Sequence, residues 1–217
     1  MVPYDNFLGR LLNDVPGVPE LGALQAIRDA CIDFCEKTLI HQADHDPVSV
    51  IAKLADYDLE TPAEQTKVIR ILKAWYKGEK LDPVAPDYVT DPALYNQNIG
   101  GYTTRYSTPK VITQKDTTTF SLYPPPDLTV ASAITMRVAL APLRDSDSCA
   151  DFLYENWVDD ICAGAAARLQ ASPNKGYSNP QFAASNQKRY MAGVNDARMR
   201  SNRGLTRANM QVKLRRI

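Results

Sequence analysis

The sequence predicts an α+β protein in which N- and C-terminal helices pack as a helical bundle around an inserted antiparallel β module, with an extended C-terminal arm. Three observations carry this. Apolar residues recur at the spacing of one helical face near both ends, at Leu24, Ile27, Cys31, Phe34 and Thr38, and again at Leu153, Trp157, Ile161, Ala165 and Leu169. Between these stretches threonine, tyrosine, valine and proline accumulate and the apolar period shortens to two, as in half-buried strands. From Lys188 to Ile217 nine basic side chains face the single acidic Asp196, a composition unlike the rest of the chain.

The expected parts are an N-terminal helical part at 1–40, a β-rich insertion at 41–142, a C-terminal helical part at 143–203 and the arm at 204–217. In the first part, Phe7, Leu8, Leu11 and Leu12 predict a short amphipathic helix, stopped by Val15-Pro16-Gly17-Val18-Pro19. Pro19 suits the first position of a longer helix. On that helix Arg28, Asp29, Asp33, Glu36 and Lys37 mostly take the side opposite the apolar stripe.

In the insertion, residues 132–141 alternate, with Ile134, Met136, Val138 and Leu140 pointing one way, which predicts a half-buried strand. Residues 117–123, with Phe120 and Leu122 on one face, are its expected neighbour, and 110–115 a third strand. Pro124-Pro125-Pro126-Asp127 must be a turn or loop, because proline donates no backbone hydrogen bond. Residues 66–81 fit two templates. Val68, Ile71, Leu72 and Trp75 suit a helix ending at Gly78, while the same stretch folded about Lys77-Gly78 suits a β-hairpin. Its β-branched and aromatic content tips the balance to the hairpin. Residues 86–108, rich in Tyr, Asn, Gly and Pro without a period, read as a long loop.

The last helical part begins with Asp151 and Glu155, where the helix dipole favours anions. Ala163-Gly164-Ala165-Ala166-Ala167 offers a nearly side-chain-free surface for close helix approach. Ser172-Pro173-Asn174-Lys175-Gly176 ends this helix, and Asn179 caps the next, with Pro180 at its first position and its end near Arg200.

The 217 residues hold 25 basic and 25 acidic side chains, so the net charge is zero. The basic end carries about +8 (nine against one), leaving about −8 on residues 1–187. No stretch approaches the roughly eighteen apolar residues of a membrane span. The N-terminus lacks the charged and apolar regions of a signal peptide. Four scattered cysteines do not make a disulfide scaffold. These features predict a protein made in a reducing cytoplasm.

Signs of catalysis are sparse. His41, Asp44, His45 and Asp46 are the one tight set of potential metal ligands, and they match no recognised spacing. A polar loop is the simpler reading of them, and a small metal-dependent hydrolase the rival one. Cys31 and Cys35, on or beside the apolar face, read as buried small hydrophobes. Gly100-Gly101 reads as loop flexibility, and Asp159-Asp160 as a solvated helix face, since neighbours on a helix project about 100° apart. No nucleophile elbow, phosphate-binding loop or dinucleotide fingerprint is present. An enzyme is not expected, and no cofactor or metal is implied.

The arm is the sharpest feature. Its candidate partner-binding residues are Arg203, Leu205, Arg207, Met210, Val212, Lys213, Leu214, Arg215, Arg216 and Ile217. The basic charge suits phosphate or an acidic protein surface. Alternation over residues 212–217 suits an extended segment that adds to a partner's sheet edge. Docking on a neighbouring subunit or ring, a solvated disordered tail, and a DNA-binding module remain the alternatives.

Several stretches taken in order resemble the head-to-tail adaptor (connector) proteins of tailed bacteriophages, particularly the short-tailed type. Val15-Pro16-Gly17-Val18-Pro19, Ala26-Ile27-Arg28-Asp29-Ala30 and Phe34-Cys35 resemble the family's opening. Leu122-Tyr123-Pro124 ahead of Ala139-Leu140-Ala141-Pro142 resembles its middle section. Trp157, Gly164-Ala165, Arg168-Leu169, Pro173, Asn179-Pro180, Tyr190, Gly193 and Ala197 resemble its two helices joined by a short Pro-containing turn. The resemblance spans most of residues 15–200. It implies a structural virion protein forming a homo-oligomeric ring, usually of twelve copies, beneath the portal protein. That ring would be the platform for tail or nozzle proteins, with DNA passing through its lumen without specific binding. It also implies a place in the virion neck, assembly in the host cytoplasm, no membrane partner, and the hairpin at 66–81. The alternative in the same setting is another neck or tail-completion (stopper) protein.

Overall fold

A computed structural model of the chain describes residues 1–86 and 106–203. In chain order these form β1 (Val2–Pro3), α1 (Asp5–Asp14), α2 (Glu20–Thr38), β2 (Gln42–Val50), β3 (Asp56–Asp58), β4 (Thr66–Tyr76) and β5 (Glu79–Pro83). Beyond residue 106 come β6 (Val111–Gln114), β7 (Thr119–Tyr123), β8 (Val130–Pro142), β9 (Ser148–Cys149), α3 (Asp151–Gln170) and α4 (Pro180–Arg203). The fold is α+β, as the sequence predicts. The backbone divides into two units, Met1–His41 with the chain from Pro142 onward, and Gln42–Ala141. The loop expected at 86–108 lies almost wholly outside the described residues.

In the helical unit, α3 packs against each of α1, α2 and α4. The five stripe residues of α3, Leu153, Trp157, Ile161, Ala165 and Leu169, are all buried. Each large apolar side chain among them contributes about 1.5–3 kcal/mol on leaving water. Phe34 of α2 lies against Trp157 at 5.4 Å and Tyr190 at 6.2 Å between ring centroids. Phe7 of α1 meets Tyr154 edge-on at 5.1 Å. The alanine-rich run lets α4 come close, as its small residues predict. A Cβ built on Gly164 would stand 2.7 Å from the ring of Tyr190, and one on Gly193 only 2.3 Å from the Asp160 carboxyl carbon. At the start of the chain, β1 pairs antiparallel with β9, and the Tyr4 hydroxyl hydrogen-bonds Ser146 at 3.0 Å.

Two helix ends differ slightly from expectation. Pro19 is the N-cap of α2 and not its first residue, because its backbone is extended (φ −60°, ψ 137°) while its carbonyl already accepts from Ala23 N–H. Arg200 is not the last residue of α4, which continues to Arg203. The Asn179 cap is as expected, its side-chain oxygen accepting from Gln181 and Phe182 N–H at 3.2 Å.

In the β unit the strand order is β2-β8-β4-β5-β6-β7-β3. The stretch 66–81 is a hairpin. Ala74 pairs Leu81, Tyr76 pairs Glu79, and Lys77 and Gly78 both have positive φ (49° and 84°), the type I′ turn. The competing helical pattern has a local cause. Inward-facing positions run 66, 68, 71, 74 and 76, so the alternation of β4 skips twice, on either side of Ile71, and takes a helix-like spacing of three. There the Gln114 side chain of β6 accepts from Ile71 N–H at 2.9 Å. Ile134, Met136, Val138 and Leu140 of β8 enter the core together with Phe120 and Leu122 of β7.

Three expectations are corrected. First, β7 does not neighbour β8. It lies between β6 and β3, with Thr113 opposite Ser121 and Tyr57 opposite Phe120. The tight turn after β6, held by Asp116 accepting from Thr118 N–H at 2.7 Å, favours the sequence-adjacent partner, while prolines 124–126 break continuity towards β8. Second, the sheet is mixed and not wholly antiparallel. Asp82 and Pro83 of β5 pair in parallel with Val111 and Ile112, because the long connection 84–110 allows a crossover. Third, most of the polar cluster 41–46 is strand and not loop. Asp44 and His45 of β2 stand opposite Arg137 and Met136 of β8, where opposite charges and an apolar face support pairing.

Candidate functional site

Of the residues singled out on the arm, Arg203 ends α4, exposed to solvent. Leu205, Arg207, Met210, Val212, Lys213, Leu214, Arg215, Arg216 and Ile217 lie outside the described residues. What the described residues do establish is how the arm's root is held. An α-helix leaves its last four carbonyls without helical partners, and cations are stabilised there. The end of α4 supplies groups to the end of α2. Arg198 Nε donates to the Lys37 carbonyl at 2.7 Å, and Ser201 Oγ to the Leu39 carbonyl at 2.8 Å. Leu39 itself is left-handed (φ 52°) and donates its N–H to Cys35, closing α2 by the αL motif. Arg200 stacks over the Trp157 ring at 4.8 Å and pairs with Asp196 at 3.0 Å. The arm therefore departs from a fixed point.

One turn deeper, Asp33 joins three helices. Its carboxylate accepts from Tyr190 Oη at 2.6 Å and Lys37 Nζ at 2.7 Å, and Arg168 Nη2 stands at 3.4 Å. Burial pushes the carboxyl upward, yet the bonds from Lys37 and Tyr190 outweigh it, leaving Asp33 below the usual carboxylate range. Burial, and then the bond to this carboxylate, push the Tyr190 phenol far up, so it stays a donor. Sequence reasoning missed this network. Asp33 and Tyr190 are 157 residues apart, and no local pattern links them.

The potential metal ligands do not converge. Among the described residues no three His, Cys, Asp or Glu side chains gather as a metal site. His41 lies edge-on to Phe152 at 5.4 Å, and burial lowers its pKa. His45 Nδ1 donates to the Asp46 carbonyl at 2.6 Å, while Asp44 and Asp46 point to solvent. Cys31 and Cys35 are fully buried, and burial pushes both thiols well up, away from the thiolate a ligand or nucleophile needs. Asp159 is exposed, as expected of a solvated face, and pairs there with Arg10 of α1, whereas Asp160 is half-buried beside Gly193 of α4. Among the described residues no helix is long and apolar enough to cross a membrane.

The end of α4 is thus tied to the end of α2, and among the described residues no metal-ligand cluster gathers. The family model of the SU10 adaptor protein matches residues 6–213. The chain belongs to the SU10 adaptor protein family. It is a bacteriophage adaptor, a structural component of the virion neck. The match runs from α1 through α4 and takes in residues 204–213 of the arm. No curated protein matches the chain.

Proposed function

We propose that this adaptor forms a closed ring, of about twelve copies as is usual for its family, that docks beneath the portal and presents the platform for tail attachment. The observation that carries this reading is the family match over residues 6–213. Side-to-side contacts of one chain with the next close a ring when each contact repeats the same rotation. The helical unit suits a ring wall, because Gly164 and Gly193 let its helices pack closely enough to act as one rigid body. The arm, rooted by Arg198 and Ser201, reaches from that wall to the portal or to a neighbouring subunit. An acidic body of about −8 repels DNA in the lumen, so the genome passes without specific binding.

The test is to mix the purified chain with its portal protein, with and without residues 205–217, and to measure mass and image the product by electron microscopy. A ring decorating one end of the portal, and failing to form without the arm, is the expected result. No association with the portal under any condition overturns the adaptor reading. A ring that binds only tail proteins assigns the chain instead to the stopper or tail-completion class.

A further inference from the structure

Three of the four cysteines gather inside the helical unit. Cys31 and Cys35 lie one turn apart on α2, and Cys149 ends β9. Cys31 and Cys35 are 0% exposed and Cys149 1%, and all are free thiols. The thiols of Cys31 and Cys149 hydrogen-bond each other, and Tyr4 borders both. Cysteine often fills such places as a small apolar side chain. Packing alone does not require, however, that two sulfurs so far apart in the chain should meet. Sulfurs in hydrogen-bond contact reach the about 2.05 Å of a disulfide by small side-chain rotations. The fourth cysteine, Cys162, is engaged elsewhere, its sulfur donating to the Phe7 carbonyl at 3.8 Å.

We infer that Cys31 and Cys149 are a latent disulfide site, closed by a peroxide once the chain leaves reducing surroundings. Burial holds the Cys31 thiol protonated, so the reaction does not begin there. It begins at Cys149. That residue pairs with Val2 in a ladder of two residues, β1 against β9. A ladder this short opens locally at far lower cost than global unfolding, and each opening gives a small oxidant a path to the sulfur. The Cys149 sulfur takes one oxygen of hydrogen peroxide as the O–O bond breaks, giving a sulfenic acid and one water. The Cys31 sulfur then attacks the sulfenic sulfur, the S–S bond forms, and the hydroxyl leaves with the Cys31 proton as a second water. Two thiols are oxidised to one disulfide and one peroxide is reduced to two waters. Cys31 precedes the β unit in the chain and Cys149 follows it, so the bond closes a loop that holds all of Gln42–Ala141. Cross-links across long loops constrain the unfolded chain most, which makes this bond a staple.

The test treats the full-length folded chain with hydrogen peroxide, alkylates the remaining thiols, and maps the linked peptides by mass spectrometry. The peptides must be fragmented, because no Lys or Arg separates Cys31 from Cys35. A link between Cys31 and Cys149 is expected, with a urea midpoint above that of the reduced chain. Dithiothreitol is expected to reverse both, which sets them apart from methionine oxidation, since that it does not reverse. Cys149→Ala is expected to abolish the link and the shift, and Cys162→Ala to keep both. Where Cys149→Ala fails to fold, the link mapped in the wild-type chain still decides. No link in the folded chain, a link formed only after unfolding in urea, or a link through Cys35 or Cys162 instead overturns the site. A Cys31–Cys149 link with an unchanged urea midpoint overturns the staple.

Discussion

Tyr190 concentrates much of what holds the helical unit together. Its ring fills the space that Gly164 leaves open, and its hydroxyl donates to Asp33. Replacing Gly164 with alanine forces a Cβ to within 2.7 Å of a fully buried ring. The expected cost is about 1–3 kcal/mol, seen as a lower thermal midpoint. Gly9, on the exposed face of α1 with nothing within 4 Å of its would-be Cβ, is the control. Gly9→Ala is expected to stabilise by about 0.5–1 kcal/mol. Asp33 sets a pH dependence whose sign follows from its lowered pKa. Its stabilisation is complete above the unfolded carboxyl value of about 3.9 and is lost as pH falls through the lower folded value. Asp33→Asn is expected to cost about 1–2 kcal/mol at neutral pH, since solvent partly screens the site. Melts from pH 7 to pH 2 should show a shallower acid-side decline in the variant; an equal slope would rule out the linkage. The glycines were visible in the sequence as part of a small-residue run. Their partners were not, because the run does not say which ring covers it.

At the scale of elements, local chemistry was readable where a turn or cap dictates it. Lys77-Gly78 adopts the positive-φ pair that a type I′ turn requires, and Asn179-Pro180 opens α4. Lysine is a poor residue for the first turn position, where asparagine tolerates the left-handed conformation. Lys77→Asn is therefore expected to stabilise the β4–β5 hairpin by about 0.5 kcal/mol, read as a rise in urea midpoint with unchanged slope. A fall would show that the Lys77 ammonium over Tyr76, at 5.5 Å, matters more than backbone strain. The helix-like pattern of 66–81 misleads because the alternation slips on both sides of Ile71, whose N–H is bonded by a side chain from β6.

For the whole molecule, the division of charge governs association. Residues 188–217, of about +8, and residues 1–187, of about −8, attract over distances that salt sets, since the screening length falls from about 30 Å at 0.01 M to about 8 Å at 0.15 M. Raising salt across that range is expected to weaken portal binding and self-association by tenfold or more while moving the thermal midpoint by only a degree or two. Binding that ignores salt would assign the contacts to apolar residues of the arm, such as Leu205 and Met210.

What the sequence determined by itself was local or cumulative: the period of each helix and strand, the caps and the hairpin turn, the charge asymmetry, and the ordered motifs that point to the phage adaptor family. Each depends on residues a few positions apart, or on their order along the chain. Only the tertiary structure decided that β7 pairs with β3 and β6, that β5 and β6 run parallel, and that polar residues 42–46 form a strand beside β8. It alone joined Asp33 to Tyr190, and the end of α4 to the end of α2. Such choices depend on which surfaces meet after the chain closes on itself. A strand's pattern states which face is buried, but it does not name the neighbour.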